Sequence, residues 1–164
     1  MLACLDVSYL PDSAIAGAVL FQSWTDALPF RELTTRIQPA APYVPGEFYK
    51  RELPGLLAVL AQVDESPNTI VIDGYVWLSS EGKPGLGARL YEALGNKTAV
   101  IGVAKTAFRQ APAIEVRHGQ AQRPLYVSAV GMSNDIAAKC IEMMHGAYRI
   151  PTLLKRVDML CRNA

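Results

Sequence analysis

Three acidic side chains stand where this chain could do chemistry: Asp6, Glu52 and Asp73. Asp6 closes the apolar start Met-Leu-Ala-Cys-Leu-Asp, and Asp73 closes a second apolar run, Thr69-Ile70-Val71-Ile72-Asp73. Glu52 follows Tyr43-Val44-Pro45-Gly46-Glu47-Phe48-Tyr49-Lys50-Arg51, at the start of a helical pattern. Carboxylates placed where buried strands emerge are costly unless something compensates them. A divalent cation is the usual compensation, because hard oxygen ligands suit Mg²⁺. The set points to a metal-dependent enzyme; ordinary surface acids at strand and helix ends are the competing reading of each residue taken singly.

The elements that must position these groups follow from periodicity and from turn residues. Met1 to Ser8 and Ala14 to Phe21 predict two strands, parted by the turn former Pro11-Asp12-Ser13. Arg31 to Ile37, β-branched and weakly alternating, predicts the third strand of an antiparallel meander. Gln38 to Pro45 is a Pro-rich loop that helix cannot cross. Leu53, Leu56, Leu57 and Leu60 recur at helical spacing over Phe48 to Val63, with Pro54 expected in the first turn, where its missing N–H does little harm. Thr69 to Asp73 and Thr98 to Val103 predict central strands covered on both faces, with a helix over Pro84 to Leu94 between them that stops at Gly95. After a polar passage come a strand over Leu125 to Val130, a long helix capped by Ser133 or Asn134 and running through Met144, and a closing helix opened by Pro151.

The β-β-β-α-β-α-β-α order predicts an α/β fold of ribonuclease-H-like type. Its expected core is a mixed five-stranded sheet, three antiparallel strands then parallel ones, with helices on both faces. In that fold the first and fourth strands lie side by side, so Asp6 and Asp73 would project from neighbours, with Glu52 arriving from the intervening helix. Residues 1–164 read as one domain, without repeat or linker.

Apolar residues make up 51% and charged ones 19%, which argues against disorder and for a compact core. Lys and Arg total 16 against 15 acids, so no global basic field advertises nucleic acid. Bound cations and local Lys or Arg could still hold phosphate; Lys50-Arg51 and Lys155-Arg156 are modest basic pairs, for phosphate or for a solvated face. Cys4, Cys140 and Cys161 include no Cys-x-x-Cys pair and read as buried thiols of a reducing compartment. With no leader pattern and no apolar run long enough to span a bilayer, the expected location is cytoplasmic, with no membrane partner. His118, between Arg117 and Gly119, reads as a solvated loop histidine, and His145 as a helix-end residue whose charge suits the dipole.

The residues resemble one family closely, the endonuclease V family of inosine-directed nucleases. The matching pieces are Leu5-Asp6-Val7-Ser8-Tyr9, Pro42-Tyr43-Val44-Pro45-Gly46 with Arg51-Glu52 after it, Ile72-Asp73-Gly74, and Ile101-Gly102-Val103-Ala104-Lys105-Thr106. Pro124-Leu125-Tyr126-Val127-Ser128 with Gly131, and Arg149-Ile150-Pro151 followed by Asp158, are similar too. The resemblance implies that Asp6, Glu52 and Asp73 hold Mg²⁺, with Mn²⁺ as substitute. It implies that Tyr43-Val44-Pro45 is a wedge between bases, that Lys105 stands beside the phosphate, and that Asp158 lies near the metals. The implied reaction is hydrolysis on the 3′ side of inosine or deoxyinosine in DNA or RNA, by a monomer, leaving a 3′-hydroxyl and a 5′-phosphate.

Elementary chemistry agrees with that implication. A metal-held water is a competent nucleophile near neutral pH, and Lys105 adds a fixed charge at the same phosphate. A base must leave the stack to be read, and a stiff aromatic-Pro loop suits holding the gap open. At Gly46 and Gly74 the missing side chain would let backbone approach the extruded base. Packing of Tyr43 onto the core, a solvated Lys105 and a merely charged helix face at Asp158 are the plain alternatives. The family runs Gly-rich after its Asp-Gly, with two histidines and His-Pro-Arg. Here that stretch is Tyr75-Val76-Trp77-Leu78-Ser79-Ser80-Glu81, with Tyr75 and Ser79 at the histidine positions and Arg89 replacing another histidine. Tyr75 and Trp77 could stack on nucleic acid or serve as lid aromatics. Two further readings follow from this stretch: a metal nuclease aimed at another structure, such as a flap, a mismatch or a distorted base, and a nucleic-acid-binding homologue of weak activity.

Overall fold

In the computed structural model, the two N-terminal apolar runs pair antiparallel as β1 (Leu2–Tyr9) and β2 (Ala14–Phe21), with Leu2 opposite Phe21. The structure describes every residue except 39, 40, 41, 43 and 46, and residue 48 through its backbone only. β3 (Arg31–Ile37) adds antiparallel to β2. Helix α1 (Phe48–Leu60) then carries the chain to β4 (Thr69–Asp73), which lies parallel to β1. A second crossover through α2 (Leu86–Ala93) delivers β5 (Ala99–Ala104) parallel to β4. Short β6 (Ile114–Val116) and β7 (Leu125–Val130) follow, then α3 (Asn134–Met143) and α4 (Thr152–Arg162).

The mixed α/β sheet of the expected ribonuclease-H-like type is present, but the expected five-stranded core is extended to seven strands by β7, the strand expected over Leu125 to Val130, and by β6, in the order β3-β2-β1-β4-β5-β7-β6. The far edge is antiparallel: β7 pairs antiparallel with β5, and β6 with β7. The reason is connectivity. The segment between Ala104 and Leu125 forms no crossover helix to carry the chain back along the sheet, so β7 starts at the end where β5 stops and runs the other way. At three residues β6 is too short to show a period.

Alternation along the strands divides the core between the two faces of the sheet. Cys4, Val71, Ile101 and Val127 pack against Ala137, Ile141, Leu153 and Val157 of α3 and α4. Leu5, Ile70, Ile72 and Val100 pack against Leu56, Val59 and Leu90 of α1 and α2. Asp6 and Asp73, each two residues beyond Cys4 and Val71, therefore face α4.

Some smaller expectations change and others hold. Pro54 is the seventh residue of α1, inside the helix rather than in its first turn, and cannot donate to the Lys50 carbonyl. His118 is 1% exposed, not solvated: its ring nitrogens meet the carbonyl oxygens of Met144, at 2.7 Å, and Tyr148. Turn residues reveal a loop but not what packs on it; here left-handed Gly119, whose hydrogen faces Ala147, lets the two loops close. Ser133 caps α3, accepting from the Ile136 N–H at 3.2 Å, and all three cysteines are free and buried. Among the described residues no helix is long and apolar enough to cross a membrane.

Candidate active site

The parallel register of β1 and β4, with Leu5 opposite Ile72, sets the next residue of each strand, Asp6 and Asp73, side by side. The chain just past Asp73 is tightly held. The Gly74 N–H donates to the Val103 carbonyl at 3.0 Å, and the Val76 N–H to the buried Ser128 hydroxyl at 3.1 Å. Gly102 on β5 makes room for this turn, since a Cβ there would stand 2.5 Å from the Gly74 oxygen. Lys105, the first residue after β5, puts its Nζ 3.2 Å from Asp73 Oδ2. Asp6, Asp73, Lys105 and Asp158, with Lys155 of α4, share the wall of one cavity of about 60 Å³. That space suits ions and a few waters, not a nucleotide.

Glu52 reaches the same strand ends from the opposite face and lies outside that wall, only 7% exposed. Burial raises its carboxyl to about 7, the charges of Asp6 and Asp73 push the same way, and the nearby Tyr9 hydroxyl opposes them. Burial likewise raises Asp6 to about 6, with Asp73 and Asp158 adding to the rise and the Val7 N–H and Lys105 working against it. The buried Tyr9 hydroxyl has no partner at hydrogen-bonding geometry, and burial with the Glu52 charge raises its phenol. The Arg51 guanidinium lies over the Tyr9 ring at 3.8 Å, a cation–π contact that orders both. Asp158 behaves differently: burial alone would raise it, but Arg162, at 2.8 Å, and Lys155 hold it below the ordinary carboxylate range.

Desolvated, mutually repelling carboxylates with an all-oxygen donor set fit a hard divalent cation. Among the described residues no three Asp, Glu, His or Cys side chains are drawn together as a ready ligand cluster; Asp73 is turned to Lys105 instead. Because the backbone already sets Asp6 beside Asp73, side-chain rotation rather than strand movement separates these two from a shared ligand.

Of the expected nucleic-acid contacts, Tyr43 and Gly46 lie outside the described residues, while Val44 and Pro45 are exposed. Gly74 has φ +124° and open space where a Cβ would be. It borders a second cavity of about 230 Å³, walled also by Tyr49, Asp73, Tyr75, Leu78 and Leu86. The basic pairs are largely committed: Lys50 to Glu47 at 2.9 Å, Lys155 to Asp158 at 3.4 Å, Arg156 to Glu32. Sequence reasoning missed Tyr9, which is one element of a motif but carries no chemistry until Glu52 is placed beside it. It also missed Arg149, which donates to the Lys105 carbonyl and to the Pro124 carbonyl at 2.8 Å.

The family model for endonuclease V matches residues 1–116. Endonuclease V of Streptomyces coelicolor is 32% identical over an alignment covering 98% of this chain and 77% of that protein. The solved endonuclease V of Streptomyces avermitilis is similar at TM-score 0.78 and 28% identity, over 99% of this chain and 79% of that one. The endonuclease V of Ciona intestinalis, solved with a 24mer DNA containing an inosine followed by a ribo-adenosine, shares the fold at TM-score 0.79 and 20% identity, over 99% and 84%. A match over most of the chain, in both sequence and fold, places it plainly: the chain belongs to the endonuclease V family, nucleases that hydrolyse phosphodiester bonds.

Proposed function

We propose that the chain is a divalent-metal-dependent endonuclease that cuts a phosphodiester bond on the 3′ side of inosine or deoxyinosine in DNA or RNA. The observation that carries this reading is the meeting of Asp6, Asp73, Lys105 and Asp158 on one small cavity, with buried Glu52 beside it. Asp6, Glu52 and Asp73 would hold Mg²⁺ or Mn²⁺, which when bound supplies an acidified water and neutralises charge at the phosphate. Glu52 completes the ligand set or orients the attacking water. Lys105 exchanges its Asp73 partner for a phosphate oxygen and steadies the charge that grows there. Asp158 adds a further carboxylate at the wall, tied to Arg162 and Lys155. Attack by water on phosphorus breaks the bond to the 3′ oxygen, leaving a 3′-hydroxyl and a 5′-phosphate.

The cavity beside Asp73 is the place for an extruded base, and the Pro42 to Gly46 loop for the wedge that holds the gap. The inosine-containing DNA bound by the Ciona protein supports inosine as the base. The replacement of the family's histidines by Tyr75 and Ser79 favours, as a second reading, a metal nuclease for another distorted structure.

Labelled single- and double-stranded oligonucleotides, with inosine and matched controls, incubated with Mg²⁺ or Mn²⁺ beside Asp73→Asn, test both. Nicking one bond beyond inosine, abolished in Asp73→Asn, is the expected result. Equal cutting of controls would keep the metal site and move the substrate elsewhere. Binding without any cutting would overturn the catalytic reading.

A further inference from the structure

Lys105 leaves β5 on a loop in which residues 105 to 110 are all exposed, so no core packing fixes where its ammonium stands. Two distant side chains hold the backbone instead. Arg149, between α3 and α4, takes the Lys105 carbonyl. Tyr75, two residues past Asp73, donates its hydroxyl to the next carbonyl, Thr106, at 2.7 Å and accepts the Phe108 N–H at 3.0 Å. Its ring leans on Phe108 with centroids 6.1 Å apart, and its body is also a wall of the cavity beside Asp73. A hydroxyl closes both bonds through one atom, as donor and as acceptor.

We infer that Tyr75 is the positioning residue for Lys105, tying the loop after β5 to the loop after β4 so that the ammonium stands at the reacting phosphate. The inference rests on the reading of Lys105 as the phosphate-side group of a nuclease. It gives the departure from the family's histidine a purpose: the same side chain that borders the base cavity sets the lysine.

Tyr75→Phe keeps the ring and the wall while removing both hydrogen bonds. On an inosine-containing oligonucleotide it is expected to lower kcat by about tenfold and to leave KM within about twofold. In a Lys105→Ala background the same change is expected to alter kcat by less than about twofold, since its effect passes through the lysine. Losses that multiply in the double variant, or a changed KM with kcat intact, would overturn the assignment. Amide exchange gives a readout independent of cleavage: Tyr75→Phe should speed exchange at Phe108 without lowering the melting temperature appreciably. Unchanged exchange there refutes the tie. If the parent cuts no oligonucleotide, the nuclease reading fails by itself, and the exchange result still decides whether Tyr75 holds the loop.

Discussion

Asp6 and Glu52 hold their protons more tightly than free carboxylic acids, at about 6 and about 7 against 3.8 and 4.5. An acid raised on folding contributes stability that is complete below its unfolded value and is lost as pH rises through its folded value. The metal-free protein should therefore lose stability between about pH 4 and pH 7, by a few kcal/mol in all. Melting temperatures taken without metal from pH 5 to pH 8 check this, and a flat profile would contradict it. Mn²⁺ should restore more at pH 8 than at pH 5, because only the charged carboxylates bind it. Glu52→Gln should raise the metal-free melting temperature at pH 8, worth about 1 to 2 kcal/mol, while reducing cleavage on the order of a hundredfold. The three acids were legible in the sequence because their chemistry and their place at the ends of apolar runs are local facts. Their unequal environments were not: whether a carboxyl is buried like Glu52 or ion-paired like Asp158 depends on what packs over it.

At the scale of elements, the site is a consequence of strand register. β1 and β4 pair with Leu5 opposite Ile72, and the turn after Asp73 is pressed against β5 at Gly102. Gly102→Ala would drive a methyl to 2.5 Å from the Gly74 oxygen, which is backbone and cannot swing away. The variant should lose about 1 to 3 kcal/mol in urea unfolding and a larger share of its activity than that loss explains, because Asp73 moves. Wild-type kcat in a destabilised Gly102→Ala would show that the turn does not set Asp73. The strands Ala14–Phe21, Arg31–Ile37, Thr69–Asp73 and Leu125–Val130 fall where periodicity puts them, since apolar runs and turn residues mark their ends. The antiparallel direction of β7 and the presence of β6 escaped, the first because direction leaves no trace in a strand's own residues.

Across the whole molecule, charge is balanced, and six of the sixteen basic side chains are paired with a carboxylate. The net charge is +1, and Lys50, Lys105, Lys155, Arg156 and Arg162 each face a carboxylate. Few phosphates can be neutralised at once, so log affinity for duplex should fall against log salt with a slope of about −3 to −4, as for roughly four contacts. A slope near −10 in a titration from low to moderate salt would contradict it. The loops at the far edge depend on His118, whose ring joins Met144 and Tyr148 next to the segment that carries Arg149. His118→Ala removes the buried ring from between two carbonyls and should cost about 2 to 3 kcal/mol in thermal unfolding. A loss below about 0.5 kcal/mol would mean the ring only fills space.

The sequence by itself determined the α/β architecture, the central strands, the acids that end them and, through its motif order, the family. These are written in alternation, turn residues and spacing, which act over a few positions. Only the tertiary structure decided that Tyr75 and Arg149 grip the carbonyls beside Lys105, that His118 is a buried staple, and that Glu52 meets Tyr9. Each of those contacts joins residues some 25 to 44 positions apart, and a hydrogen bond's worth depends on the partner and the water excluded from it rather than on either residue alone.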